Sequence, residues 1–101
     1  MTEHPARATS QASMAAVEAG NREGWLALFS PDAVIEDPIG ESILDPTGEG
    51  HRGAEAIAAF WDTTIASGQI RFAIRESYAA GDEVANVGTC LLYTSPSPRD
   101  C

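Results

Sequence analysis

The sequence predicts an α+β domain, in which helices pack against an antiparallel sheet. Three observations indicate this class. Residues 53–67 carry large apolar side chains at helical spacing, residues 70–78 alternate apolar and polar side chains, and a turn then leads into a second strand-like run from Val84. With 101 residues, 44% of them apolar, the chain is at most one small domain near the lower limit for burying a core.

Two helices are expected before residue 30. Pro5 suits the first turn of a helix, and residues 6–19 are rich in helix formers with no interior glycine or proline. Gly20 fits the position just after a helix end, and Asn21 can cap a second, short helix. The second helix carries an apolar stripe at i, i+3 and i+4, for which core packing is the preferred explanation. This stripe consists of Trp25, Leu28 and Phe29.

The segment Ala33–Gly40 places an acid at the end of a short strand-like run. Val34 and Ile35 are β-branched, and Asp37 precedes a proline, which disfavours helical geometry. Strand alternation puts Ile35 and Asp37 on one face and Glu36 on the other. If the first face meets the core, the carboxyl group of Asp37 is desolvated and suited to act as a general base. Taken alone, however, Asp-Pro-Ile-Gly favours a plain type I turn.

Residues 41–52 form a predicted loop that is rich in glycine, proline and aspartate and ends in His51 and Arg52. A lone loop histidine is usually solvated, although this one could reach the mouth of a pocket. The guanidinium group of Arg52 could bind an anionic ligand group or pair with a surface acid.

The clearest helix covers residues 53–67 and is expected to end at Gly68. Apolar side chains recur in it at i, i+3, i+4, i+7 and i+8, which gives a broad stripe along one side. This stripe consists of Ile57, Phe60, Trp61, Thr64 and Ile65. Because so wide a stripe is too costly to leave in water, it must face a core.

A β-hairpin is expected after this helix. The alternation over residues 70–78 indicates a half-buried strand. The residues expected on its buried face are Ile70, Phe72, Ile74 and Tyr78. Residues 79–82 then form a turn, and residues 84–89 begin the antiparallel partner. Two or three strands are too few to cover three helices, so we expect an unfinished sheet.

Charge and composition exclude several classes of partner. The net charge is −9 and the chain has no lysine, so its surface repels nucleic acid and anionic membranes. No apolar run approaches the length of a membrane span and no signal-peptide pattern is present, so we expect a cytoplasmic protein. His4 and His51 are isolated and no Cys-x-x-Cys motif occurs, so we expect neither a metal site nor a cofactor.

The last stretch of the chain differs from the rest. Residues 90–100 resemble the in-frame translation of the transposon-end adapter of sequencing libraries, whereas composition alone would suggest a natural Ser-Pro-rich tail. We therefore expect residues 1–89 to be a partial domain that lacks its later strands, and residues 90–101 to be non-native. On this interpretation Cys90 and Cys101 carry no information about the redox compartment.

A family resemblance rests on two motifs: Asp-Ala-Val-Ile-Glu-Asp-Pro-Ile-Gly at residues 32–40 and Gly-x-Glu-Ala-Ile-x-x-Phe-Trp at residues 53–61. Following two helices, they resemble the ketosteroid isomerase and SnoaL-like polyketide cyclase branch of the nuclear transport factor 2-like superfamily. The resemblance covers residues 14–89. It implies a cone, in which the N-terminal helices pack into a strongly curved antiparallel sheet that is incomplete at the C-terminus here. A ligand pocket in the hollow and a homodimer of the full-length protein are also implied.

The resemblance also implies site residues. The general base of the isomerases falls on Asp37, which would take a proton from the carbon next to a carbonyl group and return it elsewhere. Phe60 aligns with a pocket-lining aromatic residue, and Ile35 and Trp25 are expected to line the same cavity. The implied partner is a hydrophobic small molecule.

Two positions depart from the isomerase pattern. The tyrosine that donates to the developing enolate falls at Ser13, and the tyrosine that supports it falls at Trp61. The remaining oxyanion donor, a protonated aspartic acid, belongs to a segment beyond Thr89. Since an oxyanion site supplies a few kcal/mol of transition-state stabilisation, a base without one would be slow. The chain is thus expected to be a pocket protein of the isomerase type with Asp37 as base; the alternative is a non-catalytic ligand-binding or dimerisation module of the same fold.

The adapter interpretation predicts the DNA that encodes residues 90–100. Its codons are expected to match the adapter base for base, because on this interpretation the adapter DNA itself encodes these residues. A natural tail could encode the same residues with other synonymous codons. Sequencing the coding DNA across the Thr89 junction in independent clones measures this. Codons that differ from the adapter, found with the same junction in every clone, would contradict the interpretation.

Overall fold

A computed structural model describes residues 4–93 and 98–100 and confirms the α+β class. Its strands lie in an antiparallel pair, β1–β2, and an antiparallel sheet with the order β3–β4–β5. In chain order the elements are α1 (Pro5–Ala19), α2 (Arg22–Leu26), β1 (Val34–Ile35), β2 (His51–Arg52), α3 (Gly53–Thr63), a 3₁₀ turn (Ile65–Ser67), β3 (Gln69–Ala80), β4 (Glu83–Tyr93) and β5 (Pro98–Asp100).

The two N-terminal helices end and begin where the sequence predicts. Gly20 follows α1 with a φ of 69°, a left-handed conformation that glycine adopts without a steric penalty. The side chain of Asn21 caps α2 by accepting a hydrogen bond from the Gly24 N–H at 3.0 Å. Arg22 then joins α2 to α3 through two hydrogen bonds to the carboxylate of Asp62, at 2.9 and 3.1 Å. The hydrogen bond to the Asp62 carboxylate is the main reason why the pKa of Arg22 is raised.

The core forms around the apolar stripe of α3, as predicted. Four residues of this stripe and its 3₁₀ extension are buried, and α1, α2 and β3 pack their own apolar residues against them. The buried apolar set is Ala16, Val17, Trp25, Ile57, Phe60, Trp61, Ile65 and Ile70. Each large side chain in it stabilises the fold by about 1.5–3 kcal/mol relative to exposure. The sheet adds partly buried Phe72, Cys90 and Leu92.

Helix α1 is fixed to the free edge of β3. The carboxylate of Glu18 accepts a hydrogen bond from the Phe72 N–H at 2.8 Å, so it satisfies a backbone donor on the edge of β3 that faces no other described strand. Further along the same strand, Arg7 donates to the hydroxyl and the carbonyl oxygen of Ser77, at 3.0 and 3.2 Å. These contacts determine how α1 lies across the sheet.

A β-bulge interrupts β3. Ile74 pairs with Gly88 and Glu76 pairs with Val87, so Arg75 is one residue more than its partner strand provides. Gly88 allows the close approach at this point, because a Cβ atom there would clash with the backbone opposite and lie 2.8 Å from the Ile74 Cα atom. The bulge reverses the direction of every side chain that follows it.

The predicted alternation of β3 is therefore wrong beyond the bulge, where Tyr78, expected in the core, is 59% exposed. Ile74, the last paired residue before the bulge and also expected on the buried face, is 41% exposed. Ser77 faces inward instead. On the outer face the Tyr78 hydroxyl donates to the carboxylate of Glu76 at 2.7 Å, which raises the pKa of Tyr78.

The hairpin and the last strand extend past the predicted domain boundary. Gly81 and Asp82 form the two-residue turn, and β4 continues to Tyr93. Pro98–Asp100 then pairs with β4, and β3 and β5 are the outer strands of an open sheet. Of the predicted tail, residues 94–97 and Cys101 lie outside the described residues. The adapter origin of residues 90–100 stays a prediction.

Candidate functional site

The β1–β2 pair presents two side chains to α3. Ile35 pairs directly with His51, so the two side chains lie on the same face of the pair. The imidazole ring of His51 contacts the ring of Phe60, with centroids 4.9 Å apart and planes inclined at 48°. Ile35 packs against the core, and Phe60 is 5% exposed. We call Ile35, His51 and Phe60 the hairpin cluster; it unites two predicted pocket residues with a third.

For His51 the sequence allowed two positions, in solvent or at the mouth of a pocket. Its side chain is half-buried, so the usual solvated loop histidine is the wrong interpretation. The Nε2 atom is buried and has no hydrogen-bond partner among the described residues. The sequence gives no sign of strand β2, because two residues are too few to show an alternation of apolar and polar side chains. Only its pairing with β1 defines it.

Asp37 does not lie where the sequence predicts. Ala33 and Ile35 pack against the core as expected, but β1 ends at Ile35 and the side chain of Asp37 is exposed. Because β2 offers only two residues for pairing, no ladder carries the alternation on to Asp37. The expected desolvation of Asp37 is therefore wrong, whereas its function as a base stays a prediction.

The hydrogen bond that closes a type I turn is not found at residues 37–40: among the described residues, the Asp37 carbonyl accepts no hydrogen bond from the Gly40 N–H. The segment instead leads into a loop that returns to β2 at His51.

The other predicted site residues form a second group. Trp25 Nε1–H donates to the hydroxyl oxygen of Ser13 at 3.2 Å, and the rings of Trp25 and Trp61 lie 5.2 Å apart between centroids. Both tryptophans are buried, at 3% and 5% exposure. We call these three residues the tryptophan cluster. Its internal contacts explain its burial as core packing.

A cavity of about 250 Å³ lies at the end of α1, beside Trp61. Asp37 is not among its lining residues, so this hollow does not join the acid to the tryptophan cluster. The lining residues are Val17, Glu18, Ala19, Gly20, Trp61, Ile65, Ala66, Gly68 and Gln69.

Asp45 shapes the loop between β1 and β2. It is 7% exposed, and its carboxylate accepts a hydrogen bond from the Gly50 N–H at 2.7 Å and one from the Thr47 hydroxyl at 3.5 Å. Gly50 has a φ of 85°, and a Cβ atom there would lie 2.6 Å from a methyl group of Val34. Sequence reasoning did not single out Asp45. The hydrogen bond from the Gly50 N–H to Asp45 closes the loop directly before β2, and so it helps to position His51, the first residue of that strand.

Metal and membrane sites find no support in the described part of the chain. Residues 4–93 and 98–100 contain no group of three or more His, Cys, Asp or Glu side chains that could hold a metal ion. Within the same residues, no helix has both the length and the apolar character needed to cross a bilayer.

Comparison with known proteins gives a consistent set of relatives. A family model described as a SnoaL-like domain matches residues 10–100. RV0760c from Mycobacterium tuberculosis is 43% identical, with a TM-score of 0.82 over 87% of this chain and 71% of that chain. A second structure of RV0760c, in complex with estradiol-17β-hemisuccinate, is 40% identical over the aligned residues, with a TM-score of 0.82 over 89% of this chain and 71% of that one. No protein with a curated description matches the chain significantly.

Two further solved structures are similar at the same level. The Δ5-3-ketosteroid isomerase from Mycobacterium sp. is 40% identical, with a TM-score of 0.83 over 89% of this chain and 70% of that chain. A computationally designed 17-OHP binder is 39% identical, with a TM-score of 0.84 over 90% of this chain and 71% of that chain.

Replacing Asp45 by alanine is expected to destabilise the protein by about 1–3 kcal/mol, because the Gly50 N–H then loses its acceptor in a partly buried position. Urea denaturation measures the change. Glu49→Ala is the matched control, since it removes the same charge from an exposed position of the same loop. Equal losses of stability in the two variants would show that Asp45 does not hold the loop.

Proposed function

The chain belongs to the SnoaL-like domain family of the nuclear transport factor 2-like superfamily, and from this premise we propose that it binds an apolar, steroid-like small molecule. The observation that carries the proposal is the 40% identical RV0760c structure, which holds estradiol-17β-hemisuccinate. The designed 17-OHP binder shares the same fold at 39% identity. Likeness of this degree over most of the chain supports a similar class of ligand.

The hairpin cluster supports this class of ligand. Ligand pockets are mostly apolar and contain a few placed polar groups. Ile35 on the inner face of the β1–β2 pair and Phe60 of α3 are apolar, and His51 adds one polar side chain that pairs with Ile35 and contacts Phe60. From the sheet, Phe72 contributes a partly buried apolar side chain to the same core. A rigid, largely apolar ring system with an oxygen at one end suits this chemistry.

Turnover is the second candidate, favoured by the similarity to the Δ5-3-ketosteroid isomerase. In that function Asp37 would take a proton next to the ligand's carbonyl group and return it to a second carbon. Two observations favour binding over turnover. The carboxyl group of Asp37 is exposed, and the tyrosine that donates to the enolate in the isomerases falls at Ser13, whose hydroxyl is shorter and a weaker acid. A base in water, without an oxyanion donor, would give slow turnover.

Three further statements complete the proposal. Residues 1–89 form the native part of the domain, the full-length protein is a homodimer, and it acts in the cytoplasm. Each rests on the sequence and the family resemblance alone.

Estradiol-17β-hemisuccinate is expected to bind with a Kd of about 1 µM, because a ligand of its size gains about 0.3 kcal/mol per non-hydrogen atom. Quenching of the fluorescence of Trp25 and Trp61 during titration measures the binding. Ile35→Ala should weaken it several-fold, since apolar contact area is lost at the inner face. Val34→Ala is the matched control, because Val34 lies on the opposite face of the same strand. Absence of saturable binding by the unmodified protein would refute the proposed function.

Turnover makes a separate prediction. If the protein isomerises a Δ5-3-ketosteroid, Asp37→Asn should reduce kcat by about 10²–10⁴-fold, as expected for loss of a general base, while Kd changes little. Ultraviolet absorbance of the conjugated product measures the rate. Glu36→Gln, which alters the neighbouring acid, is the control. Steroid binding without detectable isomerisation by the unmodified protein would assign it to the non-catalytic class.

A further inference from the structure

His51 contributes a polar atom to an otherwise apolar cluster. Its two neighbours there, Ile35 and Phe60, have no polar side-chain atoms. The His51 Nε2 atom is buried and finds no hydrogen-bond partner among the described residues. Buried polar groups in folded proteins are nearly always paired, so an unpaired ring nitrogen at this place calls for an explanation.

The ring is also held firmly. Backbone pairing with Ile35 fixes the His51 main chain, and the contact with Phe60 restricts the ring from the helix side. The loop that precedes His51 is closed by the hydrogen bond between Asp45 and the Gly50 N–H. A side chain constrained in this way offers its nitrogen in one direction, which is what recognition of a single ligand atom requires.

We propose that Nε2 of His51 hydrogen-bonds to an oxygen atom of the steroid-like ligand and thereby determines which end of the ligand enters the hairpin cluster. This inference rests on the proposed function. A neutral imidazole nitrogen donates or accepts according to its tautomer, so it recognises a hydroxyl group in either state and a carbonyl group as donor. His51 is then a specificity-determining residue.

Other polar groups among the described residues suit this function less well. The Ser13 oxygen and the Trp25 N–H are bonded to each other, in the tryptophan cluster. The side chains of Asp37 and Arg52 are exposed. Water competes for hydrogen bonds at exposed groups, whereas a buried nitrogen discriminates strongly between a ligand that pairs with it and one that does not.

The test compares three probes: estradiol, 3-deoxyestradiol and 17-deoxyestradiol. The unmodified protein is expected to bind estradiol about three- to tenfold more tightly than one of the two deoxy analogues, the ratio that one neutral hydrogen bond supplies. In His51→Phe this ratio should fall to about one, because the ring shape is kept and the nitrogen is lost. In His51→Gln it should be largely retained, because the amide nitrogen can reach a similar position.

His4→Gln is the matched control. His4 also has a buried ring nitrogen without a partner among the described residues, but it lies at the start of α1. Its replacement should leave the ratio unchanged. In the unmodified protein with ¹⁵N-labelled histidine, estradiol should shift the Nε2 resonance of His51 and leave the His4 resonances in place, a measurement that needs no variant to fold.

The outcomes separate the two proposals. If the unmodified protein binds estradiol but discriminates neither deoxy analogue, or if His51→Phe keeps the same ratio, the inference about His51 is overturned while steroid binding stands. A His51 Nε2 resonance that estradiol does not move overturns it as well. If the unmodified protein does not bind estradiol at all, the proposed function fails, and the inference fails with it.

Discussion

Burial of the apolar stripe of α3 is the interaction on which the rest of the structure depends. Ile57, Phe60 and Trp61 of this helix are all buried in the one core cluster, to which α1, α2 and β3 also contribute apolar residues. Trp25 of α2 stacks on Trp61, and the β1–β2 pair rests on Phe60 through His51. A helix of only 11 residues thus positions both groups of predicted site residues.

The two clusters differ in what their polar atoms can do. In the tryptophan cluster the Trp25 N–H is paired with the Ser13 oxygen, and the two indole rings pack against each other. In the hairpin cluster the Nε2 atom of His51 has no such partner among the described residues. A closed hydrogen bond in the interior adds stability and rigidity, whereas an unpaired buried donor or acceptor favours a ligand that satisfies it. This contrast is why the hairpin cluster, and not the residues that align with the isomerase tyrosines, is the better candidate for ligand recognition.

Strand ladders that end early or are interrupted account for the differences between prediction and structure. The β1–β2 pair has two residues in each strand, so the alternation that was expected to carry Asp37 inward ends at Ile35. In β3 a single extra residue, Arg75, reverses the faces and leaves Tyr78 outside. Periodicity predicts the direction of a side chain only while the hydrogen-bonded ladder continues without a break.

The sequence alone determined the α+β class, the bounds of α1, the cap of α2 by Asn21, the buried stripe of α3 and the family, because each depends on local periodicity, on residue chemistry or on motif order. Tertiary structure alone decided that Asp37 is exposed, that Asp45 is buried beneath its own loop and that His51 faces Phe60. These outcomes depend on which strands pair and where their ladders end. Such pairings join residues distant in the chain, and no local pattern of side chains encodes them.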